Sequence, residues 1–584
     1  MSSEFTTEQK RYLEGFLSGA QAMRAGKAMA PPKLADGNQG PDKPHLDAQD
    51  QVTTKGGKLA DQEKWKRAEN PFDAYGRFRR QAKSGAYPKP DDNFRWRYHG
   101  VFYVAPAQDS YMCRMRIPNG ILKHWQLRVV ADLARTHGGG YAHVTTRANL
   151  QIREIKAEAA PDVLEGLAEV GIVSKGSGAD NIRNVTGSAT AGIDQQELLD
   201  TRPHARAWHH HILNDRTLYG LPRKFNVSFD GGGVLPTLED TNDIGFQAVR
   251  VLDGAEVTAG VWYRLALGGI TGHRDLARDT GVVVAPKDAI AVADAIVRVF
   301  IAHGDRSNRN RARLKYLLDA WGFERFLGAV EETLGHQLPR VDARHVARRA
   351  AHDRLAHIGV HAQRQQGLNW IGVWTPLGKI TCAQMRDLAE VAQAFGDGDI
   401  RLTVWQNLLI SGVPDPQLEA ACAAIHAAGL STRVSNLRAG LVACTGSAGC
   451  KFAASDTKAD ALRIADHVDR LMNVDLPVNI HLTGCHHSCA QHYIGDIGLI
   501  GAKVTVNDAG DQVSGYHLHV GGGFGEQGAI GRLLQSDVCA SDVPKIIEAL
   551  LRAWMAHRID RNENFQAFTA RHELESLKLF AEQM

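Results

Sequence analysis

Six short signals recur in the same order in the two halves of this chain, so the fold must be built from two copies of one unit. Pro118-Asn119-Gly120 precedes Asn149 by 29 residues, counted from the glycine, and Pro376-Leu377-Gly378 precedes Asn407 by the same 29. Each gap holds one amphipathic helix, predicted around Gln126–Arg135 and Gln384–Ala394. Val185-Thr186-Gly187-Ser188 then parallels Cys444-Thr445-Gly446-Ser447, with glycines 38 and 39 residues after the respective asparagines. Asn226 and Asn479 each lead an Asp-Ile-Gly whose glycine, Gly245 or Gly498, lies 19 residues on. Tyr263 and Tyr516 follow 18 residues later, each with a glycine pair starting five residues further. One such match would be chance; six in order are a duplication.

Each unit reads strand–turn–helix–strand–helix, then a second block of strands with crossing helices. That is an α+β (mixed α/β) pattern. Tyr111–Gly120 reads as a strand ending in a turn. The basic, aromatic run Phe94–Tyr103 has the alternation of a strand with one buried face, which is preferred over a nucleic-acid surface. Ahead of the first unit, residues 7–25 show helical spacing of Tyr12, Phe16 and Leu17 after a Thr cap. Residues 26–62, rich in Pro, Gly, Lys and Asp, read as a linker or draped arm. Between the copies lie a helical stretch, Arg306–Gly335, and a basic one, Arg340–Arg354.

The copies diverge where chemistry would sit. Copy two carries Cys444 and Cys450 with five residues between them, then Cys485 and Cys489 with three, the pairs separated by 34. Thiolates are soft donors suited to zinc or to iron–sulfur clusters. Four plain buried cysteines are a third reading, since free Cys is among the most buried residue types. Structural zinc takes pairs roughly two to four residues apart on tight knuckles, and the first spacing is too wide for that. The Thr-Gly-Ser-Ala-Gly insert would make a loop wrapping something bulkier, and a cubane cluster fits the spacing best. Copy one has Thr186-Gly187 without thiols, and Lys224-Phe225-Asn226 where copy two leads toward Gly484-Cys485. One copy therefore supplies metal ligands and the other cationic and polar groups, with both loop sets expected around one cavity.

Cys444-Thr445-Gly446, with Gly484-Cys485-x-x-x-Cys489 and Asp496-Ile497-Gly498, resembles the sirohaem-dependent nitrite and sulfite reductases, from about residue 90 to 575. The resemblance implies a pseudo-twofold fold of two ferredoxin-like half-domains and two larger α/β domains that clasp the cofactors. The expected scheme is an arm and linker over 1–90, half-domain one over 91–165 and a sirohaem and substrate domain over 166–335. A linker over 336–365, half-domain two over 366–432 and a cluster domain over 433–584 complete it. By the same resemblance Cys444, Cys450, Cys485 and Cys489 hold a [4Fe–4S] cluster, and Cys489 bridges it to the sirohaem iron.

On the substrate side the family pattern matches Arg114, Arg183, Lys224 and Asn226, which the resemblance makes the catalytic residues of the pocket. Arg147 and Arg223 look like the contacts to the carboxylates of the cofactor. An isolated Arg or Lys is ordinarily a solvated surface charge; each of these lies in a matched segment. Sirohaem carries many carboxylates and so needs cations. Fixed cations near the metal would also gather an oxyanion, offset charge on its oxygens and relay protons. Arg116 shares a face with Arg114 by strand alternation, and motif register alone favours Arg114. Asn226 favours nitrite, because sulfite-reducing relatives commonly have a second lysine there. Sulfite, partly dianionic near neutral pH, asks for one more cation.

The implied activity is six-electron reduction of nitrite to ammonium. Electrons are expected from reduced ferredoxin, since no flavin or NAD(P)H module is recognisable. Lys451 and Lys458, close to the cluster in sequence, are expected to meet that acidic donor. A sulfite reductase of the same fold is the alternative. An iron–sulfur protein lacking sirohaem and the typically shorter cobalamin-pathway oxygenases follow.

Composition adds exclusions. A net charge of +3 implies no polyelectrolyte role. Neither a secretory pattern nor an apolar run approaching the ~20 residues of a membrane span is found. A reduced, cytosolic, monomeric enzyme that binds neither nucleic acid nor membrane is expected. Cys113, Cys382, Cys422 and Cys539 have no pairing pattern and read as structural. Gly523–Gly528 fits G-x-G-x-x-G, but its counterpart Gly268–Gly272 does not, so it reads as a glycine turn letting backbone approach the cofactor. His209, His210 and His211 cannot all face one ion from a regular helix. His486 and His487 sit between cluster cysteines, where hydrogen bonds would tune the centre.

Overall fold

The computed structural model describes residues 40–104 and 107–582, so the helix expected over 7–25 lies outside them. Copy one supplies β1 (Val101–Val104), β2 (Ser110–Arg114), β3 (Ile121–Lys123), β4 (Tyr141–Val144) and β5 (Leu150–Ile155). It continues with β6 (Thr186–Gly187), β7 (Val227–Asp230), β8 (Ile244–Val251), β9 (Gly260–Leu267) and β10 (Arg278–Val284). Copy two repeats the series as β11 (Gly359–Ala362), β12 (Leu368–Val373), β13 (Lys379–Thr381), β14 (Asp399–Leu402) and β15 (Leu408–Pro414). Its second block is β16 (Leu441–Ala443), β17 (Ile480–Thr483), β18 (Ile497–Thr505), β19 (Gln512–Val520) and β20 (Arg532–Cys539).

The two half-domains trade a strand. β13 of copy two pairs antiparallel with β4, and β3 of copy one pairs antiparallel with β14. Ile380 lies opposite Ala142 and Ile400 opposite Leu122, and all four are buried. An unpaired edge is a liability, and the exchange covers one edge of each sheet with the other copy. Helices His124–His137 and Cys382–Phe395 pack on each other beneath, so one core runs through both half-domains.

The second block of each copy is a separate five-stranded sheet, ordered β6-β7-β8-β9-β10 or β16-β17-β18-β19-β20. In both, the first three strands run parallel and the rest antiparallel. Each has its own core, around Trp208, Phe225 and Tyr263 in one and Tyr516, Trp554 and Phe565 in the other. Even the awkward backbone is duplicated. Asn119 (φ 61°) and Leu377 (50°), Ala148 (46°) and Gln406 (60°), and Leu238 (58°) and Gln491 (56°) are left-handed at matching positions. Side-chain-bearing residues rarely adopt that region, so the repeat is one of backbone path as well as of motifs.

Two expectations are corrected. Phe94–Tyr103 is not one strand: the helix Pro90–Trp96 and the turn Arg97–His99 precede β1. Proline at the helix start, with Asp91 and Asp92 in the first turn, outweighs the alternation. Within the expected linker 26–62, Lys43–Thr54 is a helix packed on the helix Ala289–His303. Its buried Gln49 donates to Glu63 at 2.9 Å, and His45 lies 3.1 Å from Arg306. The helix between the copies spans Leu314–Leu334 and bends at Gly322, where φ is 74°. Among the described residues no helix is long and apolar enough to cross a membrane.

Candidate functional site

The four cysteines stand at the carboxyl ends of parallel strands. Cys444 follows β16, Cys450 lies in the next loop, and Cys485 and Cys489 follow β17. The loops are built around the sulfurs: Gly484 N lies 3.2 Å from Cys444 Sγ, and His487 Nδ1 lies 3.3 Å from Cys485 Sγ. Gly446 has φ 71°, and a Cβ there would meet Thr457 N at 2.7 Å, so the first turn needs glycine. Burial, and after it the neighbouring thiols of Cys489, Cys450 and Cys444, push the Cys485 thiol up to about 11. The four therefore form one electrostatic group.

Among the described residues the metal-ligating atoms that converge within 4.8 Å belong to His211, Asp215 and Asp294; no three thiols draw that close. Sulfurs around a tetrahedral zinc would be about 3.8 Å apart, and the four thiols are not drawn together in that way. The His211 group is already neutralised, because Arg298 pairs with Asp215 at 2.8 Å and with Asp294 at 2.6 Å.

Arg183, Arg223 and Lys224 of copy one stand at the amino ends of the equivalent strands, while Arg114 and Arg147 come from the half-domain sheet. Arg183 precedes β6, Lys224 and Asn226 precede β7, Arg114 ends β2, and Arg147 lies in the β4–β5 turn. Thr146 Oγ1 donates to the Cys489 carbonyl at 3.0 Å and ties the two loop sets together. The Cys489 thiol bears directly on Arg114, Arg147 and Lys224, and Lys224 in turn on Arg183 and Arg223. Arg114, Arg147 and Lys224 are thus within electrostatic reach of Cys489, and Arg183 and Arg223 of Lys224.

Their partners are few. Arg114 lies 4.8 Å over the Phe102 ring, and Gln151, with its amide oxygen turned inward, accepts from its Nε and Nη2 at 3.1 Å. Arg183 donates to the carbonyls of Ser177 and Ala179 at 2.7 Å each, and its buried Nε has no partner. The nearby carboxylates are taken: Arg309 holds Asp180 at 2.8 Å, and Arg313 holds Asp243 at 2.7 and 3.1 Å. Burial first, and repulsion from neighbouring cations after it, pull Arg114, Arg147 and Arg223 down to about 10. The same causes hold Arg183 and Lys224 well below their ordinary values. Such crowded positive charge is costly unless anions join it. These residues fit a cofactor rimmed with carboxylates and, beyond it, a small oxyanion.

Three expectations change at this level. Asn226 does not end freely in the cavity. With its amide oxygen facing them, it accepts from Arg313 Nη2 and Arg147 Nη2 at 3.2 Å each, and its backbone N–H donates to Asp243 at 2.8 Å. Arg116 does not share the cavity with Arg114; β2 ends at Arg114, and Arg116 turns inward to donate to the Ile182 carbonyl at 2.7 Å. Lys458 is not a surface cation: it donates to the Leu377 carbonyl, and burial lowers it to about 7, whereas Lys451 is exposed. The glycine turn Gly525–Gln527 meets copy one, its Gly525 N–H donating to Asp240 at 3.1 Å.

Sequence reasoning missed Arg313 and Arg153. Arg313 immediately precedes the helix Leu314–Leu334, in a stretch whose only visible signal was helical periodicity. Arg153, on β5, donates to the Gly449 carbonyl at 2.6 Å and so anchors the cysteine loop of the other copy. No motif marks either.

Known proteins resemble the chain over whole domains. The chain matches the nitrite and sulphite reductase 4Fe-4S domain over residues 178–338 and 435–569, and the nitrite/sulfite reductase ferredoxin-like half domain over 105–170 and 361–428. Each is matched twice, once per copy. The ferredoxin–nitrite reductase of Synechococcus elongatus is 36% identical over 473 residues, 79% of this chain and 89% of that protein. The chloroplastic ferredoxin–nitrite reductase of Spinacia oleracea is 33% identical over 489 residues, 81% of this chain and 80% of that protein. The structure of the Mycobacterium tuberculosis NirA protein matches with a TM-score of 0.81 at 27% identity, covering 89% of this chain and 97% of that one.

Proposed function

The chain belongs to the nitrite and sulphite reductase family, and from that premise we propose that it reduces nitrite to ammonium with six electrons from reduced ferredoxin. The site would be a sirohaem bridged through Cys489 to a [4Fe–4S] cluster. The observation that carries the reading is the crowd of partly buried cations around Cys489, whose nearby carboxylates are already paired.

When bound, the coupled cofactors supply single electrons and a metal position for the oxyanion. The remaining work falls to this chain. Cys444, Cys450, Cys485 and Cys489 would hold the cluster, and Arg147 and Arg223 would pair with carboxylates of the sirohaem. Arg114, Arg183 and Lys224 would bind and orient nitrite and offset the charge on its oxygens. Lys224 would be the readiest of them to release a proton, since burial and the neighbouring Arg313 lower its pKa. Asn226 spaces Arg147 from Arg313 without adding a charge, which favours the monoanion nitrite over sulfite. In this scheme residues 166–335 form the substrate side and 433–584 the cluster side.

Side-by-side turnover tests the reading. Purified holoenzyme with reduced ferredoxin should give a higher kcat/KM for ammonium from nitrite than for sulfide from sulfite. The reverse order makes it a sulfite reductase, and a visible spectrum lacking the intense macrocycle bands removes sirohaem.

A further inference from the structure

The duplication leaves one loop tip bare that its counterpart covers. Cys450 corresponds to Ala191, so the tip Lys451-Phe452 corresponds to Gly192-Ile193. Ile193 is 4% exposed, whereas Phe452 is 57% exposed. In copy one the turn between β11 and β12 closes over the tip: Arg364 N donates to the Ile193 carbonyl at 2.8 Å and Gln365 Nε2 to the Gly192 carbonyl at 2.7 Å. In copy two the same tip stands open beside the thiols. Lys451 Nζ lies 5.2 Å from the centre of the Phe452 ring, His487 packs on that ring at 5.2 Å, and His486 packs on His487 at 4.3 Å. All four are exposed. His487 in turn reaches Cys485 Sγ at 3.3 Å. Two contacts therefore separate a solvent-facing aromatic ring from a cluster thiol.

We propose that Lys451, Phe452, His486 and His487 form the landing surface for a small acidic iron–sulfur electron donor, with Phe452 entering an apolar patch on the donor. The proposal rests on the ferredoxin reading above and assigns it a place. Charge selects the occupant: Lys451 lies over an aromatic ring and faces solvent, which favours a partner rich in carboxylates. An exposed aromatic beside a cation also has the composition of a binding hot spot. A patch this small suits a brief electron-transfer encounter, the smallest class of interface, better than a standing dimer of this chain. Each encounter would oxidise the donor by one electron and reduce the thiol-held centre by one, with no bond made or broken.

The test is binding, measured by calorimetry between the holoenzyme and an oxidised plant-type [2Fe–2S] ferredoxin. Phe452→Ala should raise Kd about tenfold, equivalent to about 1.4 kcal/mol. Lys451→Glu should raise it at low ionic strength, with the difference shrinking as salt is added. Ile559→Ala, at a site 76% exposed elsewhere on the surface, serves as the control and should leave Kd unchanged. If Phe452→Ala binds as the wild type does, or Ile559→Ala weakens binding equally, this surface is wrong while the ferredoxin reading stands. If the wild type binds no ferredoxin, both fall.

Discussion

Copy one and copy two fold alike and use opposite ends of the same sheet. Arg183, Lys224 and Asn226 precede β6 and β7, whereas Cys444 and Cys485 follow β16 and β17. Both copies keep the clasp at the amino end: Asn226 N donates to Asp243 at 2.8 Å and Asn479 N to Asp496 at 2.6 Å, with Arg313 and Arg354 on the respective carboxylates. In copy two, however, that end is filled. The position of Lys224 is taken by Pro477 and that of Arg147 by Trp405, which packs 5.1 Å from Phe524 and donates to the Pro236 carbonyl at 3.2 Å. The carboxyl end of copy one is filled in turn. Val185, Ala191, Gly232 and Pro236 stand where copy two has its cysteines. An arginine still ties each loop: Arg401 reaches the Ala191 carbonyl at 2.7 Å, as Arg153 reaches Gly449 at 2.6 Å. Duplication thus provided four strand-end sites. Thiols survive at one and cations at another, and those two face each other.

The comparison can be broken most severely at the thiols. Cys485→Ser should bring iron and acid-labile sulfide in the purified protein close to zero, whereas Ala191→Ser in copy one should leave both unchanged. Iron lost from the copy-one variant would end the division of labour. At the cationic end, Lys224→Ala should lower kcat for nitrite by about a hundredfold to a thousandfold, with iron content and visible spectrum retained. Pro477→Ala, at the matching position, should leave kcat as it was.

Two smaller effects sharpen the contrast. Asn226→Lys would set an ammonium against Arg313 and Arg147. It should swing the ratio of kcat/KM values toward sulfite by roughly thirtyfold, about 2 kcal/mol; an unchanged ratio removes Asn226 from substrate choice. The smallest concerns Arg116, whose copy-two counterpart is Trp374. His209 is buried against Arg116, and burial, then that guanidinium, pulls its pKa to about 2. Below pH about 6.5 the unfolded chain takes a proton that the folded chain refuses, so stability is flat above that pH and falls beneath it. The loss is about 1.4 kcal/mol by pH 5.5. Chemical denaturation of His209→Gln should show a flatter decline between pH 6.5 and 5; an unaltered slope refutes the buried neutral imidazole.

The contacts that escaped sequence reasoning share one property. Arg153 and Gly449 are 296 residues apart, and Arg313 and Asp243 are 70 apart. A hydrogen bond between distant residues leaves no periodicity and no spacing to read. Lys458 shows the converse, since its closeness to the cysteines in sequence suggested a surface role that its bond to the Leu377 carbonyl denies.

Sequence by itself determined the duplication, the loop that bears each thiol pair and the segments that carry Arg114, Arg183 and Lys224, because turn glycines and ligand spacings are properties of contiguous residues. Only the tertiary structure decided which sheet ends face each other, that the half-domains exchange β3 and β13, and that Asn226 spaces two guanidinium groups. Those outcomes depend on burial and charge balance among groups that meet only when the two copies close around one cavity.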